Sequence, residues 1–218
     1  MKTIRPNEGL FFLLILCRIL TMNKIQKEQT LILAKPDALQ RGLVGEIIKR
    51  FEARGFKLSG LKMVKPSSDH VKKHYLATKE QLGGMGNKSL ENLKQLGLDP
   101  VKVLGTDDPM KIGKMINDWN FEFLSSAPVV AIVFEGPHAV EMGRKIVGNT
   151  LPFKADIGTI RGDFSVDSST LGNFNKRPIR NIVHASGSIS EAKREIKHWF
   201  SKKELFSYKR ADEGIMFD

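Results

Sequence analysis

The sequence predicts an α+β domain, an antiparallel sheet carrying helices on one face. Three observations lead there. Apolar, β-branched runs fall at 30–34, 128–135 and 182–184, apolar residues recur at helical spacing over 43–51, 138–147 and 190–200, and strands and helices follow in the order β-α-β-α-α-β-α-β-α. With 218 residues, 41% of them hydrophobic, the chain is long enough to bury a sizeable core, and 27% charged residues beside 19 Gly and 9 Pro exclude disorder as its main state. The single cysteine, Cys17, excludes an internal disulfide and a four-thiolate metal site, and fits a reducing, cytoplasmic compartment. A formal charge of +11 favours a polyanionic partner, whether nucleic acid, acidic lipid or nucleotide phosphates.

Residues 30–34 read as a buried strand ended by Lys35-Pro36-Asp37, because proline donates no hydrogen bond to a ladder and aspartate favours turns. Leu43, Val44, Ile47, Ile48 and Phe51 then mark a helix that Gly55 stops. Residues 56–64 alternate as a second strand, and Ser68 or Asp69 caps a short helix through Tyr75. The stretch 79–109 is rich in Gly, Lys, Asn and Asp and reads as an insertion, with a flexible surface loop around Gly83-Gly84-Met85-Gly86 and a short amphipathic piece at Leu90, Leu93 and Leu96. A helix over 111–124 leads to the central strand at 128–135. After it come a helix over 138–147, a long irregular stretch over 149–180, a fourth strand at 182–184 and a last helix at 190–200. Together these form the ferredoxin-like βαββαβ pattern.

Residues 1–21 stand apart from this domain, which spans 22–218. Lys2 and Arg5 precede an eleven-residue apolar run at 10–20, in the order of a secretory signal, but Arg18 interrupts the run and no small-x-small cleavage site follows. The run also falls short of the roughly 20 residues a membrane helix needs, so a membrane anchor is not expected. The remaining readings are a weak signal, or an upstream start with the true one at Met22. Removing the segment takes away three basic residues and one acidic, so the basic character belongs to the domain.

Gly83 to Ser89 is not a P-loop, because no glycine directly precedes Lys88 and no strand directly precedes the loop. The informative segment is Asn181-Ile-Val-His184-Ala-Ser186-Gly-Ser188. It sets a histidine at the end of a short apolar strand, ahead of small hydroxylated residues and a helix, where a side chain projects into a cleft. Cations of the kind that hold phosphates stand elsewhere in the chain: Lys35 at a strand end, Arg144 after the central strand, and Arg161 within Gly158-Thr-Ile-Arg-Gly-Asp-Phe164.

Those segments, with Thr30-Leu-Ile-Leu-Ala-Lys-Pro-Asp37, the 40–51 helix, Gly60-Leu-Lys-Met63 and Pro128-Val-Val-Ala-Ile-Val-Phe-Glu-Gly136, resemble the nucleoside diphosphate kinase family over nearly all of residues 28–210. The resemblance implies ping-pong transfer of a γ-phosphoryl group, mainly from ATP, to nucleoside diphosphates through a phosphohistidine at His184. It implies that Lys35, Arg144, Thr150 and Arg161 contact phosphates, that Asn181 contacts the sugar region, and that Tyr75 lies beside the histidine. Glu195 matches the carboxylate that orients the ring, although a salt bridge to Lys193 or Lys197 would also explain it. Magnesium is implied as an ion carried by the nucleotide phosphates, with no metal ligand from protein side chains, and the partners implied are nucleotides and further copies of the chain in a tetramer or hexamer.

The chain departs from short family members before the central strand, where counting back from Pro128 puts Ile116 at the base-stacking position, with Trp119 and Phe121 nearby. Insertions near 79–109 and 168–178 make it similar to longer microbial and archaeal-like variants. Two other readings are a nucleic-acid binder, which lacks the expected aromatic RNA-binding strand, and an inactive protein of the same fold, against which the full phosphate-contacting set argues.

Overall fold

A computed structural model describes residues 27–217, so the expectations for residues 1–21 and for a start at Met22 lie outside the described residues. In chain order the elements are β1 Lys27–Ala34, α1 Pro36–Gln40, α2 Val44–Glu52, β2 Lys57–Val64, α3 Ser68–His74, α4 Lys79–Gln95, α5 Pro100–Leu104, α6 Pro109–Ser126, β3 Val129–Pro137, α7 Ala139–Val147, α8 Ile160–Phe164, α9 Ser169–Phe174, β4 Val183–Ala185, α10 Ile189–Trp199 and α11 Glu213–Phe217. The strands make one sheet in the order β2-β3-β1-β4, with every neighbouring pair antiparallel.

Helices cover both faces of this sheet rather than one. Ile32, Ala34, Val130, Ile132 and Phe134 point to a cluster with Ile47 and Phe51 of α2 and Ile146 and Val147 of α7. Leu31, Leu33, Val129, Ala131 and Val133 point the other way, to Val71, Leu124, Ile196 and Trp199. The reason is legible in β1 and β3, whose apolar residues run without interruption, whereas an antiparallel strand with one wet face alternates. Phe51 stacks on Phe134 with ring centroids 4.4 Å apart, and truncating such a fully buried ring costs about 3–5 kcal/mol.

The 79–109 stretch is helical, not a loop. Thr78 and Gln81 form a reciprocal capping box, with Gln81 N–H donating to Thr78 Oγ1 at 3.2 Å and Thr78 N–H to Gln81 Oε1 at 2.9 Å, and α4 runs 17 residues through the glycines. One of them, Gly86, serves close approach together with Gly113 of α6. A Cβ on Gly86 would stand 1.8 Å from the Pro109 carbonyl oxygen, and one on Gly113 would stand 1.9 Å from that of Leu82, so α4 and α6 meet backbone to backbone. Leu93, Leu104 and Ile112 bury themselves between α4, α5 and α6 as a third cluster. The second insertion joins it, since Ser89 Oγ donates to Asn173 Oδ1 at 2.9 Å and Thr170 Oγ1 to Asn92 Oδ1 at 3.3 Å. The two insertions therefore form one lobe.

Candidate active site

The site lies at the end of β4. His184 pairs with Leu33 in the sheet register and so shares the face of Leu31 and Leu33, toward α3 and α10. Between β4 and the residues before it the chain makes an uncommon turn. Val183 N–H donates to the Asn181 carbonyl at 2.7 Å, closing a three-residue γ-turn, and Ile182 at its centre has φ 69°. For a β-branched residue this costs of order 1–3 kcal/mol, and it persists where surrounding bonds over-determine it. Here they do: Ile182 N–H donates to Asp37 Oδ2 at 2.9 Å, its carbonyl accepts from Lys35 N–H at 2.8 Å, and its side chain is wholly buried.

Glu195, 1% exposed on α10, accepts from His184 Nε2 with its two oxygens at 3.0 and 3.1 Å, and from Ser186 Oγ at 2.6 Å. A carboxylate only accepts, so the ring hydrogen sits on Nε2 and Nδ1 keeps its lone pair. Burial first, then the charges of Lys35, Arg161 and Arg144, push the His184 pKa down to about 3 against an opposing pull from Glu191. The imidazole is neutral at pH 7. Burial moves the Glu195 carboxyl upward.

A cavity of about 320 Å³ opens over this ring, with Lys35, Tyr75, Asn120, Arg144, Thr150, Arg161 and Asn181 in its wall. Lys35, 6% exposed, is pushed down to about 8 by burial, and its Nζ donates to Asn181 Oδ1. Asn181 Nδ2 in turn donates to the Thr150 carbonyl at 2.8 Å. Arg161, pushed down to about 10 by burial, donates from Nε, Nη1 and Nη2 to the carbonyls of Asn181, Gly148 and Val183 at 3.2, 2.9 and 2.7 Å. Two of its five N–H groups are left for a ligand. Arg144 and Thr150 are exposed on the rim. The Tyr75 ring stands edge-on to His184 at 6.3 Å, and burial raises its hydroxyl pKa well above the usual value.

The structure thus gathers eight of the nine sequence-predicted residues, and Glu195 contacts the His184 ring rather than Lys193 or Lys197. Ile116 is the exception: it packs with Trp119 on the third cluster, inside the insertion lobe, because the lengthened α6 carries it there. Asn120, one helical turn further on, reaches the cavity wall instead. Sequence reasoning also passed over Asp37 and Ser186, although both stand inside segments it singled out. A larger cavity of about 600 Å³ holds Arg41, Arg177 and Arg180. Two of those charges are engaged already: Arg177 pairs with Asp167 at 2.5 and 3.2 Å, and Arg41 donates to the Phe164 carbonyl.

A neutral imidazole held by a carboxylate and ringed by buried cations, on a four-stranded antiparallel sheet, defines the class as a phosphotransferase. The nucleoside diphosphate kinase family model matches residues 28–82 and 111–205 and passes over most of the first insertion. A nucleoside diphosphate kinase of Pyrobaculum aerophilum is 47% identical over 178 residues, covering 82% of this chain and 97% of that one. An NDP kinase crystal structure from the same organism superposes with a TM-score of 0.80 at 45% identity, over 84% of this chain and all of the other. A Borrelia burgdorferi nucleoside diphosphate kinase, solved as a transition state mimic with vanadate and ADP, gives 0.69 at 34% identity over 86% and 95%. The chain belongs to the nucleoside diphosphate kinase family, and its activity is phosphoryl transfer between nucleotides.

Proposed function

We propose that His184 Nδ1 is the nucleophile of a ping-pong reaction. The observation that carries this is the Glu195 contact on Nε2, which leaves Nδ1 as the nitrogen with a free lone pair in a cationic cavity. Nδ1 forms a bond to the γ-phosphorus as the bond to the β-phosphate oxygen breaks, and the diphosphate leaves with that electron pair. The ring gains positive charge, which the buried Glu195 carboxylate offsets while Nε2 keeps its hydrogen. In the second half-reaction a different diphosphate attacks the phosphohistidine and regenerates the neutral ring. Lys35, Arg144 and the two unengaged N–H groups of Arg161 hold phosphate oxygens in line, and Thr150 and Asn181 close the same wall.

Magnesium fits as an ion that arrives on the nucleotide. The cationic cavity wall would hold the phosphates rather than the ion itself, and the ion, carried in on the nucleotide, would neutralise part of the phosphate charge. The protein's partners are nucleoside tri- and diphosphates, the chain assembles as a homo-oligomer, and its single cysteine supports a reducing, cytoplasmic setting. Among the described residues no helix is long and apolar enough to cross a membrane. Incubation with radiolabelled ATP alone should yield an acid-labile, base-stable phosphoprotein, and His184→Ala should lose both label and turnover. Turnover retained by a clean His184→Ala preparation would overturn the covalent mechanism.

A further inference from the structure

Glu195 has a second histidine within reach. His74, at the C-terminus of α3, is 2% exposed, and its ring stands edge-on to the His184 ring at 4.6 Å. Its Nδ1 lies 3.6 Å from Glu195 Oε1, the oxygen that also takes His184 Nε2–H at 3.0 Å. A hydrogen on His74 Nδ1 would need only a small shift to bond that carboxylate and draw it from the nucleophile.

Trp199 forbids this. Its indole Nε1–H, a group that donates and never accepts, points at His74 Nδ1 at 3.2 Å. The lone pair on Nδ1 is therefore occupied and the ring hydrogen is confined to Nε2, which is buried with no partner among the described residues. Left to hydrogen bonding alone, His74 would do better with its hydrogen on Nδ1 facing Glu195; the indole donor removes that choice. Burial also keeps His74 uncharged by lowering its pKa well below the usual value. Of the other groups around Glu195, Ser186 Oγ bonds the other oxygen, and the Arg194 guanidinium pairs loosely with Oε1 at 3.8 Å, a contact that does not involve either histidine ring.

We infer that Trp199 and His74 are positioning residues forming a tautomer lock: the indole N–H holds His74 as a non-donor toward Glu195, and so reserves that carboxylate for His184. This rests on His184 as the phosphorylated residue, and neither Trp199 nor His74 lines the cavity over that ring.

Nitrogen-15 NMR of histidine-labelled protein without nucleotide tests the lock directly. His74 should show an unprotonated Nδ1 and a protonated Nε2, and in Trp199→Phe the hydrogen should move to Nδ1. A wild-type His74 protonated on Nδ1 overturns the inference, and this spectrum decides the matter if the variant does not fold. Single-turnover phosphorylation by ATP supplies the functional arm. Trp199→Phe, which keeps the ring and removes the donor, should slow phosphorylation about tenfold with little change in KM. Adding His74→Phe removes the competitor, so the double variant should run about threefold or more faster than Trp199→Phe alone. If the two rings act only by packing, the double variant is slower than either single one, and that result also overturns the inference. Because the NMR arm uses no substrate, its failure is distinguishable from failure of the His184 mechanism, which the His184→Ala labelling reads.

Discussion

Asp37 Oδ2 accepts the backbone N–H of Ile182 at 2.9 Å, bolting the strained turn before His184 to α1, just past the end of β1. Asp37 is 5% exposed and 145 residues away in sequence, so one carboxylate joins the first strand of the sheet to the last.

Asp37→Ala should cost about 1–3 kcal/mol of stability, because Ile182 N–H loses its buried acceptor while φ 69° stays unfavourable. Transfer should slow as His184 loses its aim. Asp37→Asn, which retains an acceptor oxygen, should recover much of both. Urea midpoints and single-turnover rates read the two effects, and an Ala variant as stable and fast as wild type would show that the turn holds itself.

Lys35→Ala and Arg161→Ala should both slow transfer by roughly 30- to 1000-fold, or about 2–4 kcal/mol of transition-state stabilisation. They should differ in stability. Arg161 bonds three backbone carbonyls, so its loss should also lower the unfolding free energy by about 3 kcal/mol, whereas the Lys35 ammonium makes one hydrogen bond among the described residues, to Asn181, and lies over the Phe123 ring. Equal unfolding midpoints for the two variants would refute the structural share assigned to Arg161.

Stability should fall as pH is lowered from about 6.5 and level off above it. The sign follows from proton counting: an unfolded histidine binds a proton below its ordinary pKa of 6.5, while folded His184 refuses one until about 3, so the unfolded chain binds more protons across that window. His74 adds in the same direction. Each such group contributes a slope of about 1.4 kcal/mol per pH unit within its window. Urea midpoints at pH 7.5, 6.0 and 5.0 measure this, and a flat profile between 7 and 5 would mean that the rings take up protons in the folded state.

Gly113→Ala should destabilise the protein by about 1–3 kcal/mol, because the new Cβ meets the Leu82 carbonyl at 1.9 Å and both atoms are held by helical backbone. Gly84→Ala, on the facing helix α4, has open space and should be neutral or slightly stabilising. Thermal melts of the pair isolate the helix crossing from simple propensity.

The strands and the long helices were legible because period and length agree in them: the uninterrupted apolar runs at β1 and β3 mark buried strands, and Leu43 to Phe51 marks α2. Two features misled. Glycine normally breaks a helix, so Gly83, Gly84 and Gly86 hid α4, although Thr78-x-x-Gln81 was its visible start. Counting residues back from Pro128 assumed that α6 meets the site as a shorter helix would, and the lobe drew Ile116 away. His184, Lys35, Arg144 and Arg161 were recognisable as a set because the segments that carry them resemble the family; residue type alone would have left each cation a solvated surface charge. The γ-turn at Ile182 and the Trp199 to His74 bond carry no such mark, since each depends on partners over a hundred residues distant.

The Ser89 to Asn173 bond ties the two insertions together across 84 residues of chain. Trimming either alone takes away the partner of the other's Ser89 hydroxyl or Asn173 amide oxygen, so an engineer would do best to treat the two as one module, kept whole or excised in two simultaneous cuts.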